Sequence, residues 1–154
     1  MPLFTLNSIY MPKYNVKTLT DTKKLANKIA GQLRGGEIIG LIGDLGAGKT
    51  TFTQYLAKAL GVKQTVNSPT FNVIKEYKIL NTKYKIQRFV HIDAYRLHSP
   101  QELAALGVEE YFNDKQTVTV IEWVDKVREI LPARAVFLAF NLKPDGTRAI
   151  DVKK

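Results

Sequence analysis

The sequence predicts an α/β domain in which a mixed β-sheet lies between layers of helices. Strand-like and helical segments follow one another in the order βαβαββαβ(α)ββ, a pattern typical of such sheets. A glycine-rich segment near residue 45 joins a short apolar strand to an amphipathic helix. The chain has 154 residues and no repeat or linker, so we expect a single domain over 1–154 with an irregular extension at 1–13.

Composition excludes several kinds of site. The chain has no cysteine, which rules out disulfides, thiolate metal sites and cysteine nucleophiles. No apolar run approaches the roughly 18 residues of a membrane span, and the N-terminus lacks the pattern of a signal peptide. We therefore expect a cytoplasmic protein without membrane association. The net charge of +9 fits either a surface that meets RNA or an acidic partner, or a basic surface that binds nothing.

The first elements predicted are a strand, a helix and a second strand. Residues 14–19 indicate an edge strand, and Thr20 or Asp21 is placed to cap the following helix. That helix has one apolar face, formed by side chains that recur every four residues: Leu25, Ile29 and Leu33. Two glycines at 35–36 are expected to end the helix, and residues 37–42 form the next strand.

Residues 43–50 match the phosphate-binding pattern G-x-x-x-x-G-K-[ST]. Glycines let the backbone approach phosphate oxygens closely, and successive N–H groups form an anion nest. Lys49 would place its ammonium near the terminal phosphates, and the Thr50 hydroxyl would bind Mg²⁺. The helix that follows, closed by Gly61, adds its N-terminus to the site. The residues assigned to nucleotide binding here are Asp44, Leu45, Gly46, Ala47, Gly48, Lys49, Thr50 and Thr51. This P-loop predicts the three-layer fold of P-loop NTPases.

The second half of the chain predicts more strands than helices. Residues 71–79 and 84–93 indicate an antiparallel pair joined by a hairpin at 81–83, which makes the sheet mixed. Ser99 and Pro100 are typical of the start of a short helix. We expect this helix to end at Gly107 and a turn to follow at 108–112. A buried strand is predicted at 118–121, and a brief helix at 125–130. The last two strands, at 135–141 and 147–152, are expected to flank a turn at 144–146.

Two predicted strands end in an acid, at the sheet edge where ligands of α/β domains bind. Either Asp93 or Glu122 could be the carboxylate that holds Mg²⁺. We expect Asp93 to hold the metal with Thr50. Glu122 would position the attacking water and is also a candidate metal ligand. Each acid taken alone could equally be a solvated strand end.

Three further residues are open to more than one reading. Thr70 follows a proline in the loop where switch-type NTPases place a hydroxyl that senses Mg²⁺ and the γ-phosphate, although a simple turn threonine is the commoner case. His91 should face away from Val90 and Ile92 as a hydrogen-bonded structural residue. Trp123 is more typical of a core or an interface than of catalysis.

Missing motifs narrow the nucleotide and the reaction. Asp93 is followed by Ala-Tyr-Arg instead of x-x-Gly, and no guanine-binding Asn-Lys-x-Asp occurs, so ATP is expected rather than GTP. The arginines do not cluster as in the lid of a metabolite kinase, which nevertheless stays the alternative; a nucleotide-binding switch without activity is a third. No arginine finger is evident in cis, so hydrolysis should be slow without a partner.

Several motifs occur together in an order that is similar to a known family. They are residues 43–51, Ser68-Pro69-Thr70-Phe71, His91-Ile92-Asp93-Ala94-Tyr95-Arg96-Leu97 and Ile121-Glu122-Trp123. With them, residues 15–141 resemble the TsaE (YjeE) family of P-loop ATPases in bacterial tRNA threonylcarbamoyladenosine biosynthesis. The resemblance implies weak Mg²⁺-dependent hydrolysis of ATP, and partners similar to TsaD and TsaB, with tRNA bound only through the whole assembly.

The resemblance also implies roles for individual residues. Lys49 would bind phosphate, and Thr50 and Asp93 would hold Mg²⁺. Thr70 would lie in the switch-like loop. Glu122 and Trp123 would form a functional pair beside the nucleotide, so Glu122 and Lys49 are the expected catalytic residues, and Thr70 and Trp123 join the nucleotide-binding set.

Overall fold

One β-sheet of seven strands forms the centre of the structure, a computed structural model that describes residues 12–69, 71–80 and 85–154. The strands are β1 Lys13–Val16, β2 Ile38–Ile42, β3 Ile74–Lys78, β4 Arg88–Asp93, β5 Thr117–Glu122, β6 Val136–Leu142 and β7 Arg148–Lys153. Their order across the sheet is β1-β7-β6-β2-β5-β4-β3. Strands β6, β2, β5 and β4 run parallel, whereas β3 and β7 are antiparallel to their neighbours. The predicted mixed sheet is confirmed.

Helices cover both faces of this sheet. The long helices α1 (Leu19–Ala30) and α2 (Lys49–Leu60) pack together over one face. The other face is covered by shorter pieces: α3 Pro100–Ala104, α4 Glu109–Phe112, and the 3₁₀ turns Val124–Lys126 and Arg128–Ile130. Each face has its own buried apolar cluster. The predicted α/β class and its three layers are therefore confirmed.

The central strands are apolar because both of their faces are covered. All six residues of β5 are buried. In β2, Gly40 lets the turn that follows β5 approach the sheet closely: a Cβ at this position would lie 2.7 Å from Val124 Cγ2 and 2.9 Å from Phe137 Cδ1. This close approach fixes the start of the 3₁₀ turn, and with it the position of the preceding residue, Trp123.

The predicted cap of α1 is wrong by two to three positions. Thr18, not Thr20 or Asp21, is the N-cap residue, and its hydroxyl accepts a hydrogen bond from the Asp21 N–H at 3.2 Å. The Asp21 carboxylate in turn accepts from the Thr18 N–H at 3.1 Å. This reciprocal capping box satisfies two N–H groups that the first helical turn leaves without partners.

Several element ends also differ from prediction. Helix α1 ends at Ala30, before the glycines at 35–36, although Leu33 is still buried. Helix α3 ends at Ala104, three residues before Gly107. The expected helix at 125–130 is a pair of 3₁₀ turns. Strands β1 and β3 are shorter than predicted, and β4 begins at Arg88 instead of residue 84.

The hairpin of β6 and β7 forms as predicted around Pro144-Asp145-Gly146. The hairpin predicted at 81–83 and the N-terminal extension up to residue 11 lie outside the described residues. No helix in the described ranges has the length and apolarity that crossing a bilayer requires.

Candidate functional site

The P-loop and both predicted carboxylates meet at one edge of the sheet. Strands β2, β5 and β4 are neighbours and parallel, so their carboxyl ends coincide. Asp93 and Glu122 are register partners at the last positions of β4 and β5, and Glu122 is also opposite Leu41 of β2. Because strand side chains alternate between faces, both acids point to the face on which α2 begins.

A cavity of about 280 Å³ lies at this edge. Its lining comprises P-loop residues 45–46 and 48–51, the two acids, and Ser68, Tyr95, Trp123 and Arg148. Asp44 is exposed on the loop and Ala47 is buried beneath it, so these two predicted binding residues do not line the cavity. A larger groove of about 700 Å³ at the opposite end of the sheet contains no P-loop residue and neither acid.

The P-loop backbone is shaped for an anion. Gly46 and Gly48 have φ of 81° and 98°, values that side chains larger than hydrogen disfavour. Gly48 is the N-cap of α2, and no side chain caps this helix end. The first N–H groups of α2 lack intrahelical acceptors and carry the positive end of the helix dipole. A phosphate group is the natural partner for such a set of donors.

Lys49 is held against the loop from which it starts. Its Nζ donates hydrogen bonds to the carbonyl of Asp44 at 3.0 Å and to that of Gly43. The same ammonium lies 4.0 Å from the centre of the Trp123 ring, a cation–π contact. Burial lowers the pKa of Lys49, and the nearby Glu122 carboxylate opposes that shift. The ammonium therefore has neutral partners in direct contact and is suited to an anionic one.

Glu122 is anchored through both of its oxygens. Thr50 Oγ1 donates to Oε1 at 2.8 Å, and His91 Nε2 lies 2.6 Å from Oε2. Since an ionised carboxylate only accepts, Nε2 is the nitrogen that carries the proton. Glu122 is only 2% exposed, so these two contacts fix the position of its carboxylate.

His91 is placed as the sequence predicts. It faces away from Val90 and Ile92, as expected: those two belong to the cluster of α3 and α4, whereas His91 contacts Glu122. Its hydrogen bonding is incomplete, however, because the buried Nδ1 has no partner. His91 is a buried, hydrogen-bonded residue, as expected, and its bond to Glu122 also makes it part of the site.

Asp93 is bound by a residue that sequence reasoning did not select. Ser68 Oγ donates to Oδ2 at 2.7 Å, and the Tyr95 N–H donates to Oδ1 at 2.9 Å. Direct pairing therefore joins Thr50 to Glu122 and Asp93 to Ser68. The signal for Ser68 was its position in the motif Ser68-Pro69-Thr70-Phe71. Thr70 itself lies outside the described residues.

The oxygen donors at the site fit magnesium. Thr50, Asp93 and Glu122 supply a hydroxyl and two carboxylates, and Mg²⁺ prefers hard oxygen ligands. In the described ranges, no three or more His, Asp or Glu side chains come together as a metal-binding group. Mg²⁺ is usually bound by one or two carboxylates together with nucleotide phosphates, so a shared metal site matches this donor set better than an all-protein one.

The backbone of Trp123 adopts a left-handed conformation that residues with a side chain disfavour. Its φ is 57°, and among the described residues it alone has a positive φ without being glycine. The ring packs against Tyr95, with centroids 5.0 Å apart, as well as over Lys49. Strain of this kind persists only where surrounding contacts hold it, and here they hold the indole over the P-loop lysine.

Comparison with known proteins identifies the family. The sequence profile described as "Threonylcarbamoyl adenosine biosynthesis protein TsaE" matches residues 16–150. The chain belongs to the TsaE family. A TsaE of Bacillus subtilis strain 168 is 37% identical over 138 residues, which are 90% of this chain and 82% of that protein. A TsaE of Rickettsia felis is 42% identical over 134 residues, 86% of this chain and 74% of that one.

A solved structure supports the fold. The crystal structure of Bacillus subtilis YdiB aligns with a TM-score of 0.75 and 31% identity, covering 95% of this chain and 86% of that one. The resemblance to the TsaE family stated from the sequence is confirmed. The roles of the individual site residues stay predictions.

Proposed function

We propose that this chain is a Mg²⁺-dependent ATPase that serves tRNA N6-threonylcarbamoyladenosine biosynthesis in the cytoplasm. The observation that carries the proposal is the 2.8 Å hydrogen bond from Thr50 to Glu122. It joins the end of the P-loop to a buried acid of the neighbouring strand, directly beside Lys49. Membership of the TsaE family supplies the pathway.

Each side chain has a role that follows from its position. Lys49 and the first N–H groups of α2 bind the phosphates. Thr50 and Asp93 offer oxygens to the metal, which when bound would neutralise phosphate charge. Glu122, held by His91, is placed to orient the attacking water. Trp123 lies over Lys49 and closes one wall of the nucleotide site.

Partners similar to TsaD and TsaB are part of the proposal. Leu45 and Tyr95 line the cavity and are 81% and 51% exposed. Large exposed apolar side chains around a site are typical of a surface that another protein covers. Such a partner would displace bulk water and leave the attacking water in place, which strengthens the electrostatic contacts with the phosphates. The isolated chain should therefore hydrolyse ATP slowly. In this arrangement tRNA is a ligand of the assembly and not of this chain alone.

The test is ATP turnover by the isolated chain and in the presence of the TsaD-like and TsaB-like proteins. We expect slow basal release of phosphate, a clear increase with the partners, and loss of both in Lys49→Ala. Fast basal turnover without stimulation would overturn the proposal. Transfer of phosphate to a hydroxyl metabolite, instead of its release to water, would favour a kinase.

A further inference from the structure

The last hairpin brings an arginine to the P-loop. Strand β6 runs parallel to β2, with Ala139 opposite Ile42, so both strands end at the edge that carries the P-loop. The chain then turns, and β7 starts at this same edge with Arg148. The arginine is 102 positions from Gly46 in sequence, and strand pairing alone places it in the nucleotide cavity.

The side chain of Arg148 lies directly on the loop. Its Nη2 is 3.4 Å from the carbonyl oxygen of Gly46. A Cβ built on Gly48 would lie 3.2 Å from Arg148 Nε, so the missing side chain of this glycine makes room for the guanidinium. Nε is buried and has no hydrogen-bond partner. A buried donor of this kind is costly to leave unpaired.

The charge of Arg148 is not balanced by any described acid. None of the ion pairs in the described part of the chain includes it. Arg88 shows the contrast, because its guanidinium is bound to Asp114 at 2.7 Å and to Glu76 at 3.5 Å. Lys49 and Arg148 are the two basic residues in the lining of the cavity. Both have backbone carbonyls as their hydrogen-bond acceptors, and both are free to meet an anion.

We propose that Arg148 is a second phosphate-contacting cation of this site, supplied in cis by the β6–β7 hairpin. The inference rests on the proposed nucleotide function and adds a residue to it. Planar guanidinium groups bind phosphate oxygens with two parallel hydrogen bonds, and P-loop enzymes use arginines in cis or in trans to balance phosphate charge. No arginine in cis was evident from the sequence, and this proposal supplies one.

Equilibrium binding tests the proposal without relying on hydrolysis. AMP, ADP and a non-hydrolysable ATP analogue are titrated with Mg²⁺ into wild type, Arg148→Gln and Arg148→Lys by calorimetry. Losing a charged hydrogen bond should weaken ADP and ATP-analogue binding about tenfold or more in Arg148→Gln. The loss should be smaller for AMP, which has fewer phosphates. Arg148→Lys should lie between wild type and Arg148→Gln, because it keeps the charge but cannot make the paired hydrogen bonds of a guanidinium.

Lys143→Ala is the matched control. It removes one positive charge from the same hairpin, but Lys143 is exposed, bonds to Asn15 and does not line the cavity. We expect wild-type affinity from it. A second readout is salt dependence: the affinity for ADP should fall less steeply with salt in Arg148→Gln than in wild type, since one phosphate contact is gone. Thermal melts without nucleotide establish that each variant is folded.

If the role of Arg148 is purely structural, the nucleotide affinities of the variants will follow a different pattern. If Arg148 only supports the loop through the Gly46 carbonyl, Arg148→Gln, which keeps an N–H donor, will bind close to wild type, or the loss will be the same for AMP and ADP. Either result overturns the inference and leaves the proposed function standing. If wild type binds no adenine nucleotide, or Lys49→Ala binds as well as wild type, the proposed function fails and the inference with it.

Discussion

At the scale of single residues, the site is determined by how Glu122 is held. One oxygen accepts from Thr50 of the P-loop, and the other lies against His91 inside the sheet. The first contact can change when a nucleotide and metal arrive, because Thr50 is at the cavity. The second is fully buried and cannot be replaced by water. His91 is therefore the residue that keeps the carboxylate in place while its other partner changes.

Substituting His91 should affect hydrolysis more than binding. His91→Leu removes the donor to Glu122, and the freed carboxylate oxygen has no substitute inside the sheet. We expect kcat to fall by about tenfold or more, while the Kd for ADP changes little, since His91 does not line the cavity. The folded protein should also lose about 1–3 kcal/mol of stability.

The matched variant for this position is His91→Gln, whose amide retains an N–H donor of similar reach. Partial recovery of kcat in His91→Gln, measured beside ADP affinity and urea unfolding, would show that the hydrogen bond matters. Wild-type turnover in His91→Leu would contradict the positioning role.

Lys49 links function to stability. Burial lowers its pKa, which means that the charged form is destabilised in the folded chain. Lys49→Met, of similar shape and without charge, should therefore raise the Tm of the nucleotide-free protein while abolishing nucleotide binding. The unfolded state binds the proton more strongly, so wild-type stability rises as pH rises from the lowered pKa towards the ordinary lysine value.

The pH dependence gives the control for this prediction. Thermal melts of both proteins across neutral to alkaline pH should show the advantage of Lys49→Met becoming smaller as the wild-type lysine loses its proton. An advantage that is constant with pH would mean that the gain comes from packing, and a lower Tm at every pH would show that the ammonium stabilises the empty loop.

The sequence reveals the site residues that belong to a contiguous motif or end a recognisable strand, and it does not reveal their contacts. Lys49 and Thr50 belong to a contiguous pattern, and Asp93 and Glu122 end two recognisable strands, so all four could be named in advance. Ser68 and His91 stand in sequence motifs, but the motifs do not show which carboxylate each side chain contacts. Arg148 lies in no motif and reaches the site only through strand pairing. Which hydroxyl would meet which acid was likewise not predictable, since both acids end at the same edge.

At the scale of elements, helix starts depend on hydrogen bonds that composition alone leaves ambiguous. The sequence predicts Thr20 or Asp21 as the cap, whereas the reciprocal bonds with Asp21 show that the cap is Thr18. Helix ends have a different cause. Apolar spacing extends to Leu33, but α1 stops at Ala30 because the chain must turn back to enter β2. Strand ends follow the partner: β3 begins at Ile74, where its pairing with Ile92 begins.

The capping box of α1 can be tested by a matched pair of substitutions. Thr18→Ala removes the acceptor for the Asp21 N–H and should cost about 1 kcal/mol of stability. Thr20→Ala removes an exposed hydroxyl from the first turn of the same helix and should stay within about 0.5 kcal/mol of wild type. Urea unfolding at constant m-value measures both. Equal losses, or a larger loss for Thr20→Ala, would contradict the observed cap.

At the scale of the whole molecule, the order of the strands in the sheet brings residues from distant parts of the sequence to one site. The P-loop follows β2, the two acids end β4 and β5, and an arginine begins β7. All of them arrive at one edge because β2, β4, β5 and β6 are parallel and β7 returns from that edge. The opposite edge has a larger groove but neither the P-loop nor the paired acids, so cavity volume alone would favour the end of the domain that lacks the phosphate-binding motif.

The role of hydrolysis in the cycle can be separated from nucleotide binding at Glu122. Glu122→Gln keeps an oxygen that can accept from Thr50 but removes the negative charge that, in our proposal, orients the attacking water, so hydrolysis should fall by roughly 10²- to 10⁴-fold. The affinity for ATP should change far less, because Lys49 and the helix N-terminus are untouched. If hydrolysis resets the partners, the complex of this variant with ATP and the TsaD-like and TsaB-like proteins should outlive the wild-type complex.

Glu129→Gln is the control for this variant, since it makes the same change at an exposed position outside the cavity. Phosphate release and the lifetime of the complex are measured on both variants, with ADP as the reference state. Wild-type hydrolysis in Glu122→Gln, together with normal binding of ATP and partners, would indicate a nucleotide-binding switch whose cycle depends on exchange. Slow hydrolysis without a longer-lived complex would show that turnover is not the step that releases the partners.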